Sequence, residues 1–228
     1  PIGILLGLTA TLSPFTTRPS FTEIAHLPLD ERVLAMADPG RKARILAEPT
    51  GKGFGTMFRL MDEGRKIWLM TDPPNYEPNP EDSLNAQAIA RGLDPWSYIY
   101  DVLLENNGRS LLYTPFANYA QNNLDCCRDM ILHKDTVMGL GDGGAHVGTI
   151  CDASFITSLI THWGRDRVRG EKIDLPTLIK CQSRDTARAV DLTDRGTLEP
   201  GMKADVNIID FENLSVRLPE IVNDLPAG

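Results

Sequence analysis

The residues with the most chemical potential lie in one glycine-rich stretch, Met138-Gly-Leu-Gly-Asp-Gly-Gly-Ala-His-Val-Gly148. A short apolar run leads into Asp142, and two glycines follow it, so the carboxylate is expected where a strand ends and its loop begins. In α/β folds that edge is where active sites are assembled. Gly143 and Gly144 would let the backbone turn sharply and let a substrate or metal approach without meeting side chains. An aspartate at a strand end also serves as a turn-former or helix cap, so the pattern alone leaves both roles open. A phosphate-cradling loop is excluded, because no Lys-Ser or Lys-Thr follows and Gly141, Gly143 and Gly144 miss the dinucleotide spacing.

His146, four residues beyond Asp142, has the chemistry of a metal ligand, a proton carrier or a substrate contact, since imidazole titrates near neutrality. A hydrogen-bonded loop histidine is the plainer reading of the same residue. His26 and His133 fall in helical stretches and read as surface or packing residues, and His162 beside Trp163 reads as a packing residue. No two histidines share the spacing that would supply two metal ligands from one element. A serine nucleophile is not supported either, because no Gly-x-Ser-x-Gly occurs. Asp152 reads as a helix cap. Tyr76, Tyr113 and Tyr119 are candidates to line a pocket, with the edge of a core as the commoner place for tyrosine.

The elements that would hold these residues follow from hydrophobic periodicity. Residues 2–8 read as a buried strand, and 9–20, rich in Thr, Ser and Pro, as loop. Apolar spacing predicts two short helices over 29–46, divided at Asp38-Pro-Gly40, with Leu29, Val33 and Met36 on one face. Residues 49–82 are poorly periodic, with a possible strand at 67–70, and prolines surround Tyr76. Such an insertion, taken here as about 10–82 with the preceding loop and helices, is either a lid or surface packing.

Beyond residue 82 the pattern becomes regular. Ser83 is expected to cap a helix to Arg91, and Asp94 with Pro95 to open another through Glu105. Strands at 110–114 and 136–140 then alternate with helices near 124–133, 153–163 and 175–190, which argues for a parallel sheet of βα units. After Leu192 the Pro-Gly turn and apolar run of Glu199-Pro-Gly-Met-Lys-Ala-Asp-Val-Asn-Ile-Ile-Asp210 read as a small β segment. The expected division is therefore 1–192 and 193–228.

Composition narrows the function classes. The chain has 228 residues, 42% hydrophobic, with 23 Lys and Arg against 31 Asp and Glu, a net charge of −8. Nucleic acid is an unfavourable partner for such a surface. The longest apolar stretch, Ile2 to Leu8, is far below the roughly 20 residues that span a bilayer, so no membrane segment is expected. Cys126, Cys127, Cys151 and Cys181 lack zinc-ligand spacing and read as thiols of a reducing cytoplasm.

Three blocks carry a family resemblance: Thr136-Val-Met-Gly-Leu-Gly-Asp-Gly-Gly-Ala-His146 with His162-Trp-Gly-Arg165, then Arg184-Asp-Thr-Ala-Arg188, then Asp194-Arg-Gly-Thr-Leu-Glu-Pro-Gly-Met-Lys-Ala-Asp-Val-Asn-Ile-Ile-Asp210. In order and spacing they resemble the amidohydrolase superfamily, and within it the D-aminoacylase or N-acyl-D-amino-acid deacylase branch. The similarity extends more weakly through 4–46 and 72–119. It implies the C-terminal part of a (β/α)8 TIM-like barrel plus part of a small β-sandwich, with a zinc site of one or two ions at the barrel mouth.

By the same resemblance Asp142 matches the aspartate after the last barrel strand, a metal ligand that also takes a proton from metal-bound water and returns it to the leaving amine. Metal binding lowers the pKa of water from about 15.7 to roughly 7. His146, Gly143, Gly144 and Tyr76 are the implied substrate contacts, and a small-molecule amide the implied partner. The family form Ser-Asp-Gly is replaced here by Gly141-Asp142-Gly143. The other metal ligands have no counterpart in the sequence and are expected upstream of Pro1. An incomplete barrel would be inactive alone and would need a complementary N-terminal chain or a homo-oligomer. A non-catalytic interaction module and a dihydropyrimidinase-like cyclic amidohydrolase are the competing readings.

Overall fold

The computed structural model describes residues 2–49, 66–139 and 154–221. They fall into two units, one of 2–49, 66–122 and 218–221, the other of 123–139 and 154–217.

The first unit is organised by a three-stranded sheet in the order β1-β3-β2, from β1 (Ile2–Gly7), β2 (Trp68–Leu69) and β3 (Leu111–Ala117). Both pairings are antiparallel, with Leu5 opposite Tyr113 and Leu6 opposite Leu112 in one, and Trp68 opposite Tyr113 in the other. This differs from the parallel sheet expected from the alternation of strands and helices. Continuous apolar runs in β1 and β3 encode burial on both faces, which parallel sheets usually have. Here an antiparallel ladder meets the same demand. Ile4, Leu6 and Leu112 join a core with Phe15, Ile99 and Leu103, while Leu5, Leu111 and Tyr113 join a separate cluster with Met70 and Tyr76. Gly3 makes room for the second cluster, since a Cβ there would stand 2.1 Å from the Tyr113 ring.

The helices over the first face begin where the sequence marks them. Asp38 accepts from Arg41 N at 2.7 Å to start α3 (Pro39–Ala47), after α1 (Pro19–Thr22) and α2 (Leu29–Met36). Ser83 accepts from Ala86 N at 3.2 Å to start α4 (Leu84–Ala90), and Asp94 from Ser97 N at 2.8 Å to start α5 (Pro95–Gly108). A capping side chain supplies an acceptor that the first turn otherwise lacks. At its end α5 breaks, with Asn106, Asn107 and Gly108 at positive φ, and the bare Gly108 backbone lies against α2, where a Cβ would come 2.4 Å from Val33 Cγ2. The buried Arg18 donates to the carbonyls of Ile45 (2.6 Å) and Leu46 (3.1 Å), with its guanidinium over Phe15 and Trp96. Tyr100 donates to Met36 O at 2.9 Å, and burial pushes its phenol up to about 12.

The second unit is helical. It contains α6 (Asp125–Leu132), α7 (Phe155–Ser158) widening into a π-helical stretch (Leu159–Asp166), and α8 (Leu175–Lys180) passing through π-helical turns (Cys181–Asp185) into α9 (Thr186–Ala189). Asp174 caps α8 by accepting from Thr177 N at 3.0 Å. The fully buried Arg167 ties this unit together: it pairs with Asp125 at 2.6 Å, donates to Glu171 O at 2.8 Å and lies over the Trp163 ring. Residues 136–139 are not strand, and neither is any part of 193–217. The apolar side chains of the expected β segment face solvent, with Val206 61% and Ile208 98% exposed. A strand needs a neighbour for its backbone groups, and among the described residues none lies alongside.

Candidate functional site

Asp142, Gly143, Gly144 and His146 lie outside the described residues, as do Cys151 and Asp152. The approach to them is described. Thr136 donates through Oγ1 to the carbonyls of Met130 (2.5 Å) and His133 (2.9 Å), closing the end of α6 just before the glycine-rich stretch. The backbone N–H of His133 also donates to Met130 O (3.3 Å) and that of Thr136 to His133 O (3.1 Å), so the hydroxyl reinforces the turn by which the chain leaves the helix.

Tyr76 is the one expected substrate contact in view. Its ring stands edge-on to Tyr113 at 5.5 Å, on the sheet face with Leu5, Met70 and Leu111. The surrounding loop is held at several points. Trp68 Nε1 donates to Asn79 O at 2.7 Å, Tyr119 OH to Pro78 O at 2.6 Å, and Glu77 N to Asn75 Oδ1 at 2.9 Å, with a cis peptide between Asp72 and Pro73. Tyr113 and Tyr119 are buried and take core-edge places, the plainer of their two sequence readings. Glu77, a buried carboxylate in this loop, carried no signal in the sequence.

The histidines in view are dispersed. His26 and His133 are exposed, as expected of surface residues. His162 is half-buried with its ring edge-on to Trp163 at 5.1 Å, a packing arrangement. Cys126, Cys127 and Cys181 are half-buried, and burial raises the pKa of Cys127, which favours the protonated thiol over a metal-binding thiolate. Among the described residues no three His, Cys, Asp or Glu side chains come together as a metal-binding group. The described residues therefore do not make up the divalent-metal centre that the resemblance implies.

Among the described charged groups of the second unit, Arg165 and Arg167 bond to backbone carbonyls as well as to carboxylates. Arg165 forms a two-point pair with Asp166 at 2.6 and 2.9 Å and donates to the carbonyls of Phe211, Glu212 (3.1 Å) and Leu214 (2.7 Å). The Arg165 hydrogen bonds hold the Asp166 carboxyl below its ordinary range. Neither this role nor that of Arg167 was visible in the sequence, where Arg165 stood only at the end of the His162-Trp-Gly-Arg165 block.

Comparison with known proteins supplies the class. A family model described as the amidohydrolase family matches residues 2–227, nearly the whole chain, and the chain belongs to that family. No curated protein and no solved structure matches it. No helix among the described residues is long and apolar enough to cross a membrane.

Proposed function

We propose that this amidohydrolase-family chain serves the hydrolysis of an amide C–N bond in an N-acyl-D-amino acid, with Asp142 as the acid–base group. The observation that carries the reading is the coincidence of a family match over residues 2–227 with a carboxylate that follows an apolar run and precedes two glycines. In the reaction, water oxygen bonds to the acyl carbon, the C–N bond breaks, and one proton passes from water to the departing amine. A carboxylate that accepts that proton and then releases it lowers both barriers, typically by a factor of about 10²–10⁴. Gly143 and Gly144 leave space for the acyl group, and His146 and Tyr76 contact the substrate. Zinc, with Asp142 among its ligands, belongs to the same proposal, the other ligands coming from outside the described residues.

The test is amine release by the protein encoded by the gene that carries this chain, assayed on N-acyl-D-amino acids, their L-enantiomers and cyclic amides. Turnover of the D-substrates, abolished by Asp142→Asn, is the expected result. Preferential ring opening would shift the substrate class to cyclic amides. Binding of amides without any hydrolysis would leave an interaction module in place of an enzyme.

A further inference from the structure

Residues 204–217 form no helix or strand, and residues 204–210 are all exposed. Among the described residues, no backbone–backbone hydrogen bond ties this segment to the rest of its unit. Among the described residues its hydrogen bonds and ion pairs are internal or next to it, such as Asp210 with Asn213 (2.7 Å) and Lys203 with Asp205 (3.4 Å), with one exception. The exception is Arg165. Its guanidinium meets five acceptors: both Asp166 carboxylate oxygens and the carbonyls of Phe211, Glu212 and Leu214. A guanidinium has five N–H groups, so its donor capacity is fully engaged.

The apolar seat beneath this clamp is small. Phe211 lies under the Arg165 guanidinium, 5.6 Å from ring centroid to Cζ, and closes over the bare backbone of Gly164. A Cβ at Gly164 would stand 3.2 Å from Leu178 Cδ1 and 3.9 Å from the Phe211 ring. Phe211 and Leu214 are half-buried while Glu212, Asn213 and Ser215 between and beside them are exposed. Segments with little buried apolar area and few backbone hydrogen bonds open at the lowest free-energy cost in a protein.

We propose that residues 204–217 are a strap fastened at one point by Arg165, which lifts away from Gly164 and Leu178 as a unit while the helices beneath remain folded. Arg165 holds the strap through directed bonds to three carbonyls, a geometry that lysine does not reproduce because its three N–H groups radiate from one nitrogen. Asp166 fixes the guanidinium plane and so aims the remaining donors at the strap.

Limited chymotrypsin digestion of the whole chain, followed by mass spectrometry, reads the opening through cleavage after Phe211. Cleavage there is expected to be at least tenfold faster in Arg165→Ala and intermediate in Arg165→Lys, with cutting after the buried Tyr100, Tyr113 and Trp163 unchanged. An unaltered rate at Phe211 in both variants would overturn the strap. So would a parallel rise at Trp163 or an unfolded Arg165→Ala protein accompanied by wild-type cleavage in Arg165→Lys. Either result would make Arg165 part of the helical core instead of a fastener.

Discussion

Arg167 and Asp125 make an ion pair of unequal exposure: the arginine side chain is fully buried, while the aspartate that meets it at 2.6 Å is 58% exposed. The buried charge depends on its partners more than the solvated one does. It also contacts Glu171 O at 2.8 Å and the Trp163 ring.

Asp125→Ala removes the carboxylate and leaves the guanidinium buried with less compensation. Hydrogen bonds to charged groups contribute about 1.5–3 kcal/mol, and a loss of stability in that range is expected. Urea unfolding of the two proteins measures it, and a difference close to zero would show that Arg167 does not depend on Asp125.

Gly108→Ala tests the junction of α5 and β3. The residue has φ +77°, and a Cβ would come 2.4 Å from Val33 Cγ2. Strain and overpacking of this kind cost about 1–3 kcal/mol. Adding Val33→Ala is expected to recover the overpacking part but not the backbone part, which thermal melts of the single and double variants would separate.

Glu48 links stability to pH. Its carboxylate accepts from Ser20 Oγ at 2.5 Å and from Ser20 N at 3.0 Å, and these bonds hold its pKa below the ordinary 4.5. A folded-state pKa depressed below the unfolded one adds stability above the unfolded value, and that stability is lost as pH falls through the folded value. Glu48→Gln should therefore flatten the acid limb of a stability–pH curve below pH 4.5 and change its slope little near neutrality. An acid limb identical to that of the wild type would remove Glu48 from the linkage.

On the proposed reading, Asp142→Asn is expected to lower turnover of the protein by about 10²–10⁴ while leaving its melting temperature unchanged. Near-normal turnover would take Asp142 out of the mechanism.

Zinc content offers an independent check. The 228-residue chain by itself is expected to hold zinc well below one equivalent after dialysis, because no two of its four histidines share the spacing that supplies two ligands from one element. Four ligands, or three with a water, are what stable zinc sites use. One tightly held equivalent would show that this chain carries a complete site.

Local signals survived into the structure wherever the physics is local. Ser83, Asp94 and Asp38 cap the helices they precede because a short polar side chain satisfies N–H groups two or three residues away. The break at Asp38-Pro-Gly40 and the facing of Leu29, Val33 and Met36 depend only on proline geometry and a 3.6-residue period. The family to which the chain belongs was legible for a related reason, as a linear pattern of residue type.

Strand direction was not legible, because the apolar runs of β1 and β3 state that both faces are buried and say nothing about which neighbour runs which way. The antiparallel register of Leu5 with Tyr113 is settled by what packs on each face. The strand-like pattern of Val206, Ile208 and Ile209 likewise became exposed chain, since a strand exists only where a second backbone completes its hydrogen bonds. Arg165 and Arg167 read alike in the sequence, yet one grips carbonyls some 46 to 49 residues away and the other is enclosed over Trp163. Tertiary structure alone assigned those roles, because a guanidinium bonds to whichever acceptors the fold brings to it.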